Sequence, residues 1–351
     1  MSTVSAQLSR PPYDDLGEDQ CLEPIFAPGT RPTVEGWQVV RADLLARWQA
    51  LLGGPLCERP DGSAEAVDGF DTDYCHATVY RQPTGPDSRQ LVFLLEPTAT
   101  PHSPRPVAIV PFYHPDLMAG YDLETRQRRT ERPLVQFGRH LAMQGYVVAC
   151  VEAFPFNTVP EPEVNEGFAW WQAAADKVLA DNPHWTGMGK LIWDTQLATD
   201  LALAQPNVDA GRVMITGHSL GGKMAFYNGC LDERVTAVVA SDFGIGYGFT
   251  NWEAPWYLGD KAEDTSHGLF HHHLLALLAP RSLLIIAGHY DRPASWQYVN
   301  AAREVYKLYG REEALGIFDH ASGHQPTEQS IRSAYTWLAE QLDLPEVPYD
   351  L

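Results

Sequence analysis

A chain of 351 residues, 44% hydrophobic and 20% charged, is long enough to close one large core, and single α/β domains commonly run to this length. Its formal net charge of -20 argues against nucleic acid and against an anionic membrane as partners, because both demand a basic face. No apolar run approaches the roughly 20 residues of a spanning helix.

The opening stretch, Met1 to Gln7, has no basic region followed by an apolar segment, so no leader peptide is expected. Residues 1–35 are rich in Pro, Gly and acids and read as an arm on the surface. A helix is predicted over Glu35–Leu52, with Trp37, Val40, Leu44, Leu45, Trp48 and Leu51 at helical spacing and Gly53-Gly54 as its stop. Residues 1–70 are thus expected to pack as an arm and helix on a main domain spanning 71–351. Strands are predicted at Cys75–Arg81, Leu91–Leu95 and Val107–Pro111, the first two forming an antiparallel start.

Beyond them the chain alternates. Strands are expected at Tyr146–Glu152, Arg212–Thr216, Val235–Ser241, Ser282–Ala287 and Ala314–Phe318, and helices at Leu191–Ala204, Ala294–Tyr309 and Glu328–Leu342. Nearly continuous apolar strands between helices imply an α/β fold, a mostly parallel central sheet covered on both faces. Two long connections, about 154–190 and 242–269, are dense in aromatics and predict a cap. The six rings of Phe243–Tyr257 must pack under that cap, face a ligand or meet a second copy of the chain, which keeps a homo-oligomer open. The segment is expected to overhang the site, with Trp252 and Trp256 contacting substrate. Lys190, Trp193 and Asp194 start a helix and are read as fixing the cap to the domain. The five cysteines (Cys21, Cys57, Cys75, Cys150, Cys230) show no CxxC spacing and read as free thiols, pointing to a cytoplasmic protein.

The chemistry concentrates at Val213–Gly222. An apolar strand runs into Gly217-His218-Ser219-Leu220-Gly221-Gly222, a GxSxG turn, and a helix opens at Leu220. So sharp a turn has no room for side chains at Gly217 and Gly221, and it holds Ser219 exposed above the sheet as a nucleophile. The helix start supplies the Leu220 N–H to an oxyanion. His218 shapes the turn, since it cannot fold back onto its neighbour's hydroxyl. A serine at neutral pH needs a base and the base needs an acid, in the chain order Ser, acid, His. Asp291 follows the strand Leu283–Ala287 and is the expected acid, with Asp242 at the end of Ala240-Ser241-Asp242 as its rival. His324, after Ser322-Gly323, is the expected base ahead of His320. The Tyr113 N–H is expected to complete the oxyanion hole, and the neighbouring His114 either holds substrate or caps a turn. The triplet His271–His273 is not read as a metal site, because adjacent helical residues point in different directions. Neither metal nor other cofactor is expected.

The run Gly217–Lys223, with Leu231–Val235, Ser241-Asp242-Phe243-Gly244 and His273–Arg281, resembles serine esterases of the α/β-hydrolase superfamily related to acetylxylan and glucuronoyl esterases. The resemblance spans roughly 105–342. It implies an α/β-hydrolase fold and carboxylic ester hydrolysis, with an acylated sugar or other small ester as substrate. In glucuronoyl esterases an arginine follows the nucleophile, where this chain has Leu220. Lys223 matches the lysine that contacts the sugar in those enzymes. Dienelactone hydrolases, also similar, carry cysteine where Ser219 stands. An acyltransferase or serine peptidase, and a binding protein that kept the fold without turnover, are the rival readings.

Overall fold

In the computed structural model, which describes residues 3–351 apart from positions 100, 165 and 321, the continuous apolar runs become strands buried on both faces. Met1 and Ser2 of the opening stretch, Thr100 of the Pro-rich loop, Asn165 of the first long connection and Ala321 of the histidine loop lie outside the described residues. The strands are β1 (Glu65–Asp71), β2 (Cys75–Pro83), β3 (Arg89–Pro97), β4 (Arg105–Pro111), β5 (Val147–Val151), β6 (Val208–His218), β7 (Ala237–Ser241), β8 (Ser282–Ala287) and β9 (Leu315–Asp319). They form one sheet in the order β1-β2-β3-β5-β4-β6-β7-β8-β9. The pairs from β1 to β5 along that order are antiparallel and the remaining pairs are parallel.

Side chains alternate across the sheet as the pleat requires. In β4, Val107 and Ile109 enter one core while Ala108 and Val110 enter the other. In β8, Leu283 and Ile285 oppose Leu284 and Ile286 in the same way. The helices covering the faces are α1 (Val4–Leu8), α2 (Val34–Leu52), α3 (Pro115–Ala119), α4 (Phe137–Met143), α5 (Pro155–Thr158), α6 (Ala169–Asp181), α7 (Gly187–Leu203), α8 (Leu220–Leu231), α9 (His271–Leu278), α10 (Ser295–Leu308) and α11 (Glu328–Leu342). No described helix is long and apolar enough to cross a membrane.

Helix α2 starts on the Thr33 hydroxyl, which accepts the Gly36 N–H at 3.1 Å, a side-chain N-cap. Its Trp37, Leu44, Trp48 and Leu52 are buried in the larger core, so the N-terminal region shares the core of the main domain. Three elements differ from expectation, among them the short helix α1 within the N-terminal arm. β1 is a mostly exposed edge strand with a bulge between Ala66 and Asp68, so it lacks an apolar alternation to read. The first long connection contains a regular helix, α6, whose Trp171, Ala174, Ala175 and Val178 form a buried stripe.

The chain passes from β4 to β5 on one side and then to β6 on the other. This reversal opens a crevice at the C-terminal ends of β4 and β6, the place where ligands bind in open α/β sheets.

Candidate active site

Strand β6 ends at His218 and α8 begins at Leu220, leaving one residue for the turn. Ser219 takes it at φ 55°, ψ -114°, a conformation that ordinary side chains avoid. Its N–H is held by the Ser241 carbonyl at 2.8 Å. The flanking glycines are there because neighbours leave no space. A Cβ at Gly217 would lie 2.2 Å from the Gly221 carbonyl oxygen, and one at Gly221 would lie 2.2 Å from the Pro111 oxygen. The second contact docks the end of β4 against the turn and brings the Phe112-Tyr113-His114 loop beside Ser219.

His324 Nε2 lies 2.8 Å from Ser219 Oγ, so this pair meets as a hydroxyl and its base would. Burial holds the His324 pKa below its ordinary value, and the charge of Asp242 works in the opposite direction. A depressed pKa keeps the imidazole neutral, and therefore able to accept a proton, at neutral pH. His324 Nδ1 is buried and has no hydrogen-bond partner among the described residues.

The two candidate acids occupy different surroundings. Asp291 accepts the N–H groups of Phe243, Gly244 and Ile245 at 3.1, 3.0 and 2.9 Å. Burial raises its pKa to about 6 against the pull of those three donors. Its carboxylate thus fastens the start of the β7–α9 connection and is not brought to His324. Asp242 is fully buried, has a positive φ of 52°, and lines the same cavity as Ser219 and His324. Its Oδ2 accepts the Ser241 hydroxyl at 2.7 Å, and His320 Nε2 lies 3.1 Å from Oδ1. A Cβ at Gly288 would fall 1.9 Å from Asp242 Oδ1, so glycine is required where the loops after β7 and β8 meet. His218 is buried behind the turn with its ring 4.9 Å from that of His324, and burial drives its pKa down to about 3. It is neutral, and its Nδ1 lies 3.4 Å from the Ser241 hydroxyl and 3.7 Å from Asp242 Oδ2.

The cavity above Ser219 measures about 400 Å³, and its aromatic walls are Tyr113, Phe168, Phe243, Tyr257 and Tyr290. Lys223, Thr250 and Asn251 supply the polar lining. Lys223 is nearly buried on α8, hydrogen-bonds Asn251 Oδ1 at 2.8 Å, and sits over the rings of Tyr257 and Trp252 at 3.9 and 4.5 Å. Burial lowers its pKa to about 7. Thr250 and Asn251 escaped the sequence reading, hidden among the aromatics of their loop. The segment Phe243–Tyr257 does reach the cavity, but not through its tryptophans. Trp252 is fully buried and donates Nε1–H to the Gly244 carbonyl at 2.7 Å, while Trp256 lies beneath the half-exposed Phe168 at 5.1 Å between ring centres. Trp252→Ala should therefore cost about 3–5 kcal/mol in a denaturant melt, as an emptied core site does. A loss under 1 kcal/mol would show that the ring is not a core element. His114 packs against Phe156 with ring centres 4.0 Å apart and is not among the residues lining the cavity.

The remaining motifs bond to protein groups. His271 bridges the Ile245 carbonyl and the Tyr227 hydroxyl, and His272 bonds the Glu23 carbonyl at 2.9 Å. No described cluster of three His, Cys, Asp or Glu residues is arranged to hold a metal. Lys190 and Asp194 form a buried ion pair, and Trp193 donates to the Thr84 carbonyl at 2.8 Å.

Comparison with known proteins agrees with this architecture. Residues 131–265 match the dienelactone hydrolase family model. A 4-O-methyl-glucuronoyl methylesterase of Thermothelomyces thermophilus is 30% identical over 145 residues, which cover 33% of this chain and 36% of that protein. A glucuronoyl esterase from Solibacter usitatus superposes with a TM-score of 0.70 at 17% identity, over 93% of this chain and 98% of that one. A glucuronoyl esterase from Caldicellulosiruptor kristjansonii superposes with a TM-score of 0.63 at 22% identity, over 93% and 92% of the two chains. The switch-point crevice, the strained Ser219 turn and these likenesses together show that the chain has the α/β-hydrolase fold.

Proposed function

We propose that the protein is a serine carboxylic ester hydrolase that acts on an esterified sugar or similar small ester through a covalent acyl-enzyme. The observation that carries this reading is the 2.8 Å contact between His324 Nε2 and a serine held in a strained strand–helix turn. His324 takes the Ser219 proton as Oγ attacks the ester carbonyl. The carbonyl oxygen becomes an oxyanion facing the N–H groups of Leu220, at the start of α8, and Tyr113. His324 then returns the proton to the leaving alcohol, and water repeats the cycle on the acyl group to release the acid and free Ser219. Asp242 is the acid that supports the imidazolium, because it shares the cavity with the pair and its charge reaches His324. Asp291 holds the loop that follows it. The segments 154–190 and 242–269 act as the cap, and Phe168, Tyr257 and Asn251 shape the pocket from it.

A fluorophosphonate probe should label the protein at Ser219, and turnover should be compared across nitrophenyl acetate, an acetylated xyloside and methyl glucuronate. Fast hydrolysis of a sugar ester supports the reading. An enzyme that labels but transfers its acyl group to added alcohol or amine much faster than to water is an acyltransferase. A protein that neither labels nor hydrolyses any of the esters is a binding module.

Lys223 is the polar anchor of the pocket, and its similarity to the sugar-contacting lysine of glucuronoyl esterases supports that role. With a pKa near 7 it is an ammonium below that pH and an amine above it. Substrate held by the charged form should bind most tightly below pH 7, so KM should rise as pH climbs through 7. Lys223→Gln should hold KM high at every pH and abolish the rise. A wild-type KM that is flat from pH 6 to 8 would remove Lys223 from substrate binding.

A further inference from the structure

The loop from β9 to α11 carries two histidines, one against the nucleophile and the other against an aspartate of the same cavity. His324 reaches Ser219, while His320 lies 3.1 Å from Asp242 Oδ1 with its side chain almost wholly buried. The tautomer of His320 follows from its other nitrogen. Nδ1 lies 3.3 Å from the backbone N–H of Ser322 and 3.0 Å from its hydroxyl, two groups that can both donate to it, and with Nδ1 accepting the proton sits on Nε2 and is donated to Asp242. The loop is itself anchored, because His320 N–H donates to the Ala287 carbonyl at 3.0 Å and Gly323 O accepts from His289 N–H at 2.9 Å.

Asp242 needs such donors. A carboxylate with no solvent contact is costly unless its oxygens are hydrogen-bonded. Oδ2 has the Ser241 hydroxyl at 2.7 Å, and Oδ1 has His320. Each carboxylate oxygen offers two acceptor sites, so one donor on each leaves capacity for a further N–H, and His324 Nδ1, which lacks a hydrogen-bond partner among the described residues, would supply it in the proposed mechanism.

We infer that His320 is a positioning residue, whose Nε2–H holds the Asp242 carboxylate in place while His324 carries the proton to and from Ser219. The inference rests on Asp242 being the acid of the proposed mechanism. It assigns the two histidines of one loop different tasks: one performs proton transfer, the other fixes the acid.

Steady-state kinetics and the rate of fluorophosphonate labelling should be measured for His320→Phe, His320→Gln, Asp242→Asn and the double variant His320→Phe/Asp242→Asn. His320→Phe should lower kcat and the labelling rate about 10- to 100-fold, the worth of a buried hydrogen bond to a charge, with KM within about twofold of wild type. His320→Gln keeps a donor and should recover most of the loss. Without the Asp242 carboxylate there is nothing to position, so removing His320 in the Asp242→Asn background should cost less than about twofold more. His320→Asn, polar but too short to reach Asp242, repeats the test should the phenylalanine variant fail to fold. A kcat within about twofold of wild type in both His320→Phe and His320→Asn, beside a crippled Asp242→Asn, overturns the role of His320 alone. An Asp242→Asn enzyme of near wild-type activity overturns it together with the acid assignment.

Discussion

Replacing Ser219 by alanine is expected to lower kcat by on the order of 10⁶ and to leave the fold intact. The loss is large because the other groups act through this oxygen. Without Oγ, His324 has no proton to accept and the Leu220 N–H has no tetrahedral oxyanion to receive; only ground-state binding in the cavity remains. The fold should survive because the features that hold the turn belong to the backbone and to its neighbours. The Ser219 N–H to Ser241 bond is a main-chain bond, and Gly217 and Gly221 keep their close contacts whatever stands at 219. Alanine suffers the positive φ about as much as serine does, so the strain is carried over unchanged. Fluorophosphonate labelling should vanish while the melting temperature stays within a few degrees. Hydrolysis within tenfold of wild type would place the nucleophile elsewhere.

The same turn explains why so much of this protein can be read from its residues. A strand–GxSxG–helix segment is a local structure whose steric demands are written in consecutive positions, and the β8 and α11 boundaries are met because apolar runs and capping residues are local as well. What is not local was misjudged or left open. Asp242 and Asp291 each follow a parallel strand and look alike in sequence. They are told apart by partners 46 to 78 residues away: the Phe243–Ile245 amides for Asp291, and His320 for Asp242. Trp252 and Trp256 sit in the loop that shapes the pocket, yet they support it from behind, because a ring's direction depends on what it packs against. The exposed edge strand β1 has no apolar period, and its identity comes from pairing with β2.

Asp242→Asn should lower kcat by about 10⁴, by analogy with the loss when a triad acid becomes an amide that favours the wrong imidazole tautomer. The asparagine would still fill the site, so KM should change little beside kcat; its amide accepts on one side only, while the Ser241 hydroxyl can turn to another acceptor, so the stability loss should stay within about 1–3 kcal/mol. Asp291→Asn should behave in the opposite way. Three main-chain N–H groups converge on the Asp291 carboxylate. An amide offers one oxygen to them and turns an NH2 toward a donor that then has no acceptor. Leaving one buried donor unsatisfied costs about 1–3 kcal/mol, so this variant should melt earlier and lose activity mainly through a loosened Phe243–Ile245 segment. Because that segment begins one residue after Asp242, some fall in kcat is expected, on the order of 10-fold and well short of that in Asp242→Asn. The ranking of the two variants in kcat, measured beside their unfolding midpoints, decides the assignment. A 10⁴-fold loss in Asp291→Asn with unchanged stability, alongside a mild Asp242→Asn, would put Asp291 behind His324 during turnover and would require the loops after β7 and β8 to rearrange when substrate binds.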